Sequence, residues 1–207
     1  MFSSSSIRLP TTGWNPVDGD LGTWRNEAGD VLSTHYFPQP PDLPAPLGDM
    51  DSIRSAYRRL LRERGAIIEL EPGKISDCHA LRAIFKIAQE ANRVMYMAVL
   101  MVPFRDHNFM VKVTCPEVGA SDLRDAAVAM RLGATGSAAL CADPYDSNYL
   151  NPVLRNRSED AEWDALFPDH PLSRTIAYST HAPAIRTARE CKALTTVRWP
   201  VHLASGA

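Results

Sequence analysis

The residues best equipped for chemistry crowd into one stretch, DPYDSNYLNPVLRNRSEDAEWDALFPDHPLSR, residues 143–174. Asp143, Asp146, Asp160, Asp164, Asp169 and His170 offer the oxygen and nitrogen donors that a hard-cation or mixed metal site uses. Asp143 and Asp146 are the metal candidates, although D-P-Y-D-S-N lacks the alternating acidic positions and the glycine of a calcium loop. A plainer reading has Asp143 and Asp146 bonding their own turns, Glu159 and Asp160 at a helix N-terminus, and Asp169 capping the next helix. Upstream, FRDHN at 104–108 sets Arg105, Asp106 and His107 in a tight strand connection. An Asp–His pair there has the pKa range for general acid/base work, against the simpler role of a solvated turn made of good turn formers. Arg105, Asp106, His107, Asp169 and His170 are therefore the catalytic candidates, and no reaction follows from them.

Other motifs are weaker. SDCH at 76–79 sets Cys78 beside His79, but a nucleophilic cysteine needs its histidine across space rather than next in the chain. GATGS at 133–137 lacks the GKS/T ending of a phosphate-binding loop. G-x-S-x-G, H-E-x-x-H and G-x-G-x-x-G do not occur, and no cofactor is expected. Four cysteines without a C-x-x-C pair argue against a zinc knuckle or redox dithiol and read as structural thiols.

The chain that must position these groups has 207 residues, 45% hydrophobic and 22% charged, enough for one well-buried domain. Lys+Arg number 22 against Asp+Glu 24, a net charge of −2 that gives no global field for nucleic acid or an anionic membrane. The N-terminus has no apolar h-region, and the longest apolar run, 94–104, is far short of a membrane span of about 20 residues. A cytoplasmic protein is the expectation, without nucleic-acid or membrane partners.

Two aromatic and β-branched runs flank the turn NEAGD, which predicts a hairpin, with Val31, Ser33, His35 and Phe37 on one face and Leu32, Thr34 and Tyr36 on the other. The five prolines of 38–48 predict an extended tether. In DMDSIRSAYRRLLRERG, Asp49 or Asp51 caps a helix, Ile53, Tyr57, Leu60 and Leu61 form its inner stripe, and Gly65 stands at its C-cap. Residues 66–115 then give four strand candidates whose short connections permit only antiparallel neighbours. A second helix follows at 119–133, with Ser121 as cap and Leu123, Ala127 and Met130 inward. A short one, capped by Ser158, is expected to bury Trp163, Leu166 and Phe167, and Pro171 opens another. ALTTVRW at 193–199 reads as an edge strand. These elements predict a flexible N-terminus at 1–13, a single α+β domain at 14–180 and a C-terminal extension at 181–207.

The order hairpin, proline-rich connector, helix, four-strand meander and helix, together with FMVKVTCPEVGASDLRDA, resembles the PsbP-like superfamily of α/β/α sandwiches across about residues 20–133. The tail DPYD…FPDHPLSR is similar to that of an uncharacterised bacterial family. The superfamily includes photosystem accessory proteins, a Ran-binding import factor, and bacterial secretion chaperones and immunity proteins. The resemblance thus implies an α+β fold, an antiparallel meander covered by helices, and a mostly non-enzymatic role.

The leading expectation is a non-enzymatic binding or accessory protein of a bacterial cytoplasm, holding a protein or peptide partner, with a homodimer left open. Met95, Met97, Met101 and Met110 suggest an adaptable contact surface, with core packing as the competing role. The alternative is a small hydrolase or cyclase with an Asp/His pocket between the sheet and residues 143–174.

Overall fold

The computed structural model describes residues 7–75, 78–90, 93–117, 124, 127, 130, 142–143, 145–150, 165–180 and 184–185. Chain order begins with β1 (Ile7–Arg8), β2 (Asn15–Pro16), β3 (Thr23–Arg25) and β4 (Val31–Phe37). Helix α1 (Met50–Leu61) leads through a tight helical turn at Arg62–Arg64 into β5 (Gly65–Ile75), β6 (Cys78–Ala88), β7 (Val94–Pro103) and β8 (Asn108–Pro116). After them come β9 (Ala142–Asp143), β10 (Asp146–Leu150), helix α2 (Pro171–Thr180) and β11 (Ala184–Ile185).

Seven strands form one antiparallel sheet in the order β2-β3-β4-β8-β7-β6-β5. The predicted hairpin is β3–β4: Asn26 N–H donates to the Asp30 carbonyl at 3.1 Å, and Gly29 takes the positive φ of 82° that this turn requires. The meander β5 to β8 pairs each strand with the next, as the short connections demand. A separate two-stranded piece joins β1 to β11, with Ile7 opposite Ile185.

Both faces of the sheet are buried. On one, Ile53 of α1 is fully buried among Ile67, Leu70, Leu81, Ala83 and Phe85, and Leu43, Ala45 and Leu47 of the proline-rich tether pack beside them. On the other, Leu172 of α2 is 2% exposed among Ile84, Tyr96, Ala98, Phe109, Val111, Val113 and Cys115. One helix on each face makes the fold an α+β sandwich. Met97, Met101 and Met110 belong to the α1-side core, so these methionines fill space rather than form a contact surface.

A bulge in β5 sets which residues reach which face. Ile67 lies opposite Phe85 but Glu69 lies opposite Ile84, so the ladder slips by one residue at Ile68. Ile67 and Leu70 therefore both pack under α1, while Ile68 and Glu69 turn to the α2 side. Along the same edge strand, Leu70 N–H donates to the Tyr145 hydroxyl at 2.6 Å, and the Leu70 carbonyl accepts from Arg54 Nη2 at 3.2 Å. The Arg54 guanidinium lies 4.0 Å from the Tyr145 ring centroid. Tyr145 thus ties its end of the acidic segment to the rim of the sheet.

Several local expectations change. The N-cap of α1 is Asp49, whose carboxylate accepts from Ser52 N–H at 3.1 Å, but Leu60 is 76% exposed and lies outside the inner stripe. The C-cap of α1 is Arg62, at φ 46°; Gly65 closes the helical turn that follows and opens β5 in extended backbone at φ −169°. It is glycine because a Cβ there would meet the Lys86 carbonyl oxygen at 2.8 Å and Leu61 Cδ2 at 2.9 Å. Met130 is 77% exposed rather than inward, and Leu166, at 66%, is not buried. The expected caps Ser121 and Ser158, with Leu123, Trp163 and the strand at 193–199, lie outside the described residues. Cys78, expected as a free structural thiol, is fully buried and disulfide-bonded, with its partner outside the described residues.

Gly65→Ala should lower the urea midpoint by the equivalent of about 1–3 kcal/mol, since a backbone carbonyl cannot move aside. Gly73→Ala, where nothing lies within 4 Å, should stay near wild type. Equal midpoints for the two variants would reject the close approach as the reason for glycine at 65.

Candidate functional site

The site begins with a buried charge. Asp30 ends the β3–β4 turn and is 0% exposed, so its carboxylate needs partners within the protein. They come from α2. Arg174 Nη2 donates to Oδ1 at 2.8 Å and Nε to Oδ2 at 2.9 Å, a bidentate pair joining residues 144 positions apart. The Tyr178 hydroxyl donates to Oδ2 at 3.2 Å, and Asn26 Nδ2 reaches both that oxygen, at 3.1 Å, and the Tyr178 hydroxyl, at 2.9 Å. Burial, then the neighbouring Asp30 charge, pushes Tyr178 up to about 12. Cys115 sits in the same network, and burial followed by the Asp30 charge pushes its thiol up to about 12 as well. Thiolate chemistry is therefore suppressed there at neutral pH.

Helix α2 is fixed at its other end by His170, whose Nδ1 accepts from Leu172 N–H at 3.2 Å. His170 is thus the cap expected of Asp169. Asp169 is exposed and contributes its carbonyl, which accepts from Arg174 Nη1. Pro171 takes the first helical position, where the missing N–H is harmless.

Docking α2 in this way leaves a cavity of about 310 Å³ against the sheet, neither sealed nor flat. Leu32 of β4, Ala98 and Leu100 of β7, and Val111 and Val113 of β8 form its floor. Tyr178 and Ser179 of α2 form one wall, and the segment running from Leu9 to Trp14 forms another. Trp14 meets the Tyr178 ring edge-on at 5.2 Å, joining those two walls. Tyr178 therefore serves the buried charge through its hydroxyl and the cavity through its ring. Arg82 of β6 is the charged residue among the described lining residues. Its Nε lies 2.5 Å from Glu69 Oε1, and its side chain is 43% exposed against 13% for Glu69.

None of the sequence candidates is among the described lining residues of this cavity. His107 and Asp106 do meet, Nδ1 to Oδ1 at 2.6 Å, and this hydrogen bond is the main cause of the lowered Asp106 pKa. Asp106 is 80% exposed, whereas His107 is buried, stacked on Phe104 at 4.5 Å and packed edge-on to Phe109. Arg105 is exposed beside them. His170 packs instead against Tyr96, near the start of β7, while Phe104 follows its end. At about 3.3 Å per residue, Tyr96 and Phe104, the residues on which the two histidines pack, are roughly 26 Å apart along the chain. The backbones of Asp143 and Asp146 pair in β9 and β10, and their side chains lie outside the described residues. Among the described residues no cluster of three or more His, Cys, Asp or Glu is placed to hold a metal. No described helix is long and apolar enough to cross a membrane.

Asp30, Arg174, Tyr178 and Arg82 escape sequence reasoning. Asp30 reads as a turn former, and its partner lies too far along the chain for a local pattern to reveal. Arg82 follows from strand alternation, but the face it shares with Glu69 depends on the Ile68 bulge.

In class, then, the protein is an α+β sandwich with an apolar cavity under one of its helices. No protein family and no curated protein matches the chain. Solved structures similar to it include a Pseudomonas aeruginosa protein of unknown function, PA94. That likeness has 13% identity over 58% of this chain and 76% of the other, with a TM-score of 0.35. Cyanobacterial PsbP (CyanoP) from Synechocystis sp. PCC 6803 gives 12% identity over 62% of this chain and 82% of that one, with a TM-score of 0.33. Both are weak likenesses of fold and carry no argument about activity or partners.

Arg174→Met leaves the Asp30 charge buried without its main partner and should cost about 3–5 kcal/mol in denaturant unfolding. The double variant Asp30→Leu/Arg174→Met should recover part of that loss; additive losses would contradict the coupling. In a separate mass-spectrometric test, iodoacetamide should leave native Cys115 unmodified and label it once the chain is unfolded. Cys78 should take label only when reductant accompanies the denaturant, so its labelling without reductant would exclude the disulfide.

Proposed function

We propose that the protein is a non-enzymatic binding or accessory domain, with the cavity between the sheet and α2 as its site. The observation that carries this reading is the cavity wall: aliphatic side chains from three strands, an aromatic pair, and one arginine at the rim. Such a surface gains free energy by taking an apolar group out of water, roughly 25 cal/mol per Å² buried. The partner expected from the sequence, a protein or peptide, enters by an apolar side chain. The Asp–His pair at 106–107 supports no hydrolase or cyclase pocket in this reading, since it sits at a strand connection with the imidazole packed among aromatic rings. As to compartment, the disulfide at Cys78 favours an oxidising space over the cytoplasm expected from the sequence, because cytosolic thiol systems open such bonds.

The test is to fill the cavity. Ala98 is 7% exposed on its floor, and Ala98→Leu occupies space there without adding a polar atom. Short apolar peptides titrated calorimetrically should bind the wild type and lose about tenfold or more in affinity for the variant, the scale of one displaced side chain. A thermal melt confirms that the variant is folded. Unchanged affinity in a folded Ala98→Leu protein sinks the reading.

A further inference from the structure

We propose that the group the cavity receives is the C-terminal residue of a peptide or protein, its side chain among the aliphatic floor residues and its carboxylate on Arg82. The proposal rests on the reading of the cavity as a binding site and adds the chemistry of the occupant.

Four observations support it. The cavity, about 310 Å³, stands at the bottom of the range of roughly 300–1,000 Å³ typical of sites that enclose a whole ligand. It is also neither sealed nor flat, so an occupant can place one end inside while the remainder stays in solvent. Arg82 stands where the cavity meets solvent, its side chain 43% exposed, and its described ion pair uses Nε alone. The two Nη groups make no described contact, and a guanidinium offers them as a planar pair of donors suited to a carboxylate. Glu69, 13% exposed on the neighbouring strand, pairs with the guanidinium by charge on its Nε side.

The neighbouring carboxylates decide whether Arg82 is available. Glu71 lies directly opposite Arg82 in the β5–β6 register and would be its natural second partner. It is engaged elsewhere: Arg54 Nη2 of α1 donates to Glu71 Oε2 at 3.0 Å. Arg54 thus takes one of the two carboxylates, and among the described residues Arg82 keeps Glu69 alone. An incoming carboxylate meets a cation whose Nη groups make no described polar contact, beside a wall that accepts an aliphatic or aromatic side chain. A terminal residue supplies both features within one residue of chain.

The experiment titrates the 207-residue chain with N-acetylated Ala-Ala-Leu as the free acid, the same peptide as its C-terminal amide, and hexanoic acid. The acid should bind about tenfold or more tightly than the amide, the scale of a hydrogen-bonded charge. That preference should vanish in Arg82→Met and survive in part in Arg82→Lys. The acid and amide comparison on the wild type stands even if Arg82→Met folds poorly. Equal binding of acid and amide overturns the assignment to Arg82 yet leaves the cavity as a binding site. Hexanoic acid binding as tightly as the peptide acid overturns the terminal-residue assignment in favour of a free small acid. Failure of all three probes to bind overturns this proposal and the reading beneath it.

Discussion

A carboxylate buried without exposure dictates the rest of this molecule. Asp30 cannot remain charged inside the protein alone, and the group that meets it arrives from a helix 144 residues further along the chain. The bidentate geometry of Arg174 sets both the position and the rotation of α2, because a planar fork meets a carboxylate in few orientations. Once α2 is placed, Leu172 enters the core, Tyr178 turns its hydroxyl to Asp30, and the ring of Tyr178 becomes a cavity wall. A single ion pair thereby converts a flat sheet face into a concave one.

The opposite face follows different physics. There α1 and the proline-rich tether cover the sheet mainly by apolar contact, through Ile53, Tyr57, Leu43 and Leu47, with Arg54 adding polar contacts to Leu70 and Glu71 at the edge. Met101, with Met97 and Met110 partly buried beside it, packs into the same cluster. The two faces communicate through β5. Its bulge at Ile68 gives α1 the pair Ile67 and Leu70, and the same slip delivers Glu69 to the α2 side, where it meets Arg82. One extra residue in an edge strand thus serves the core on one face and the cavity rim on the other.

Much of the architecture is legible in the sequence, because strands and helices announce themselves by local periodicity. The meander was readable from four β-rich runs with short connections, the hairpin from NEAGD, and the N-cap of α1 down to Asp49 or Asp51, of which Asp49 caps. What failed locally failed for tertiary reasons. Gly65 looked like a helix stop but answers to the carbonyl of Lys86 on the next strand, and Leu60 fell on the helical period yet faces solvent. The site was less legible. Acidic density drew attention to 143–174, whereas the described residues of that segment placed in close contact are Tyr145 on the sheet edge and His170, Leu172 and Arg174 around the start of α2. Asp30 and Arg174 carry no motif, since each is informative only in the presence of the other.

The side chains around Leu70 have a consequence for assembly. β5 is an outer strand, and its outward amide and carbonyl at Leu70 are occupied by Tyr145 and Arg54. Exposed strand borders commonly template intermolecular pairing. Here a foreign strand aligning with β5 would first have to displace a phenol and a guanidinium that are themselves stacked on one another. Polymerisation through that border is thereby obstructed at its midpoint.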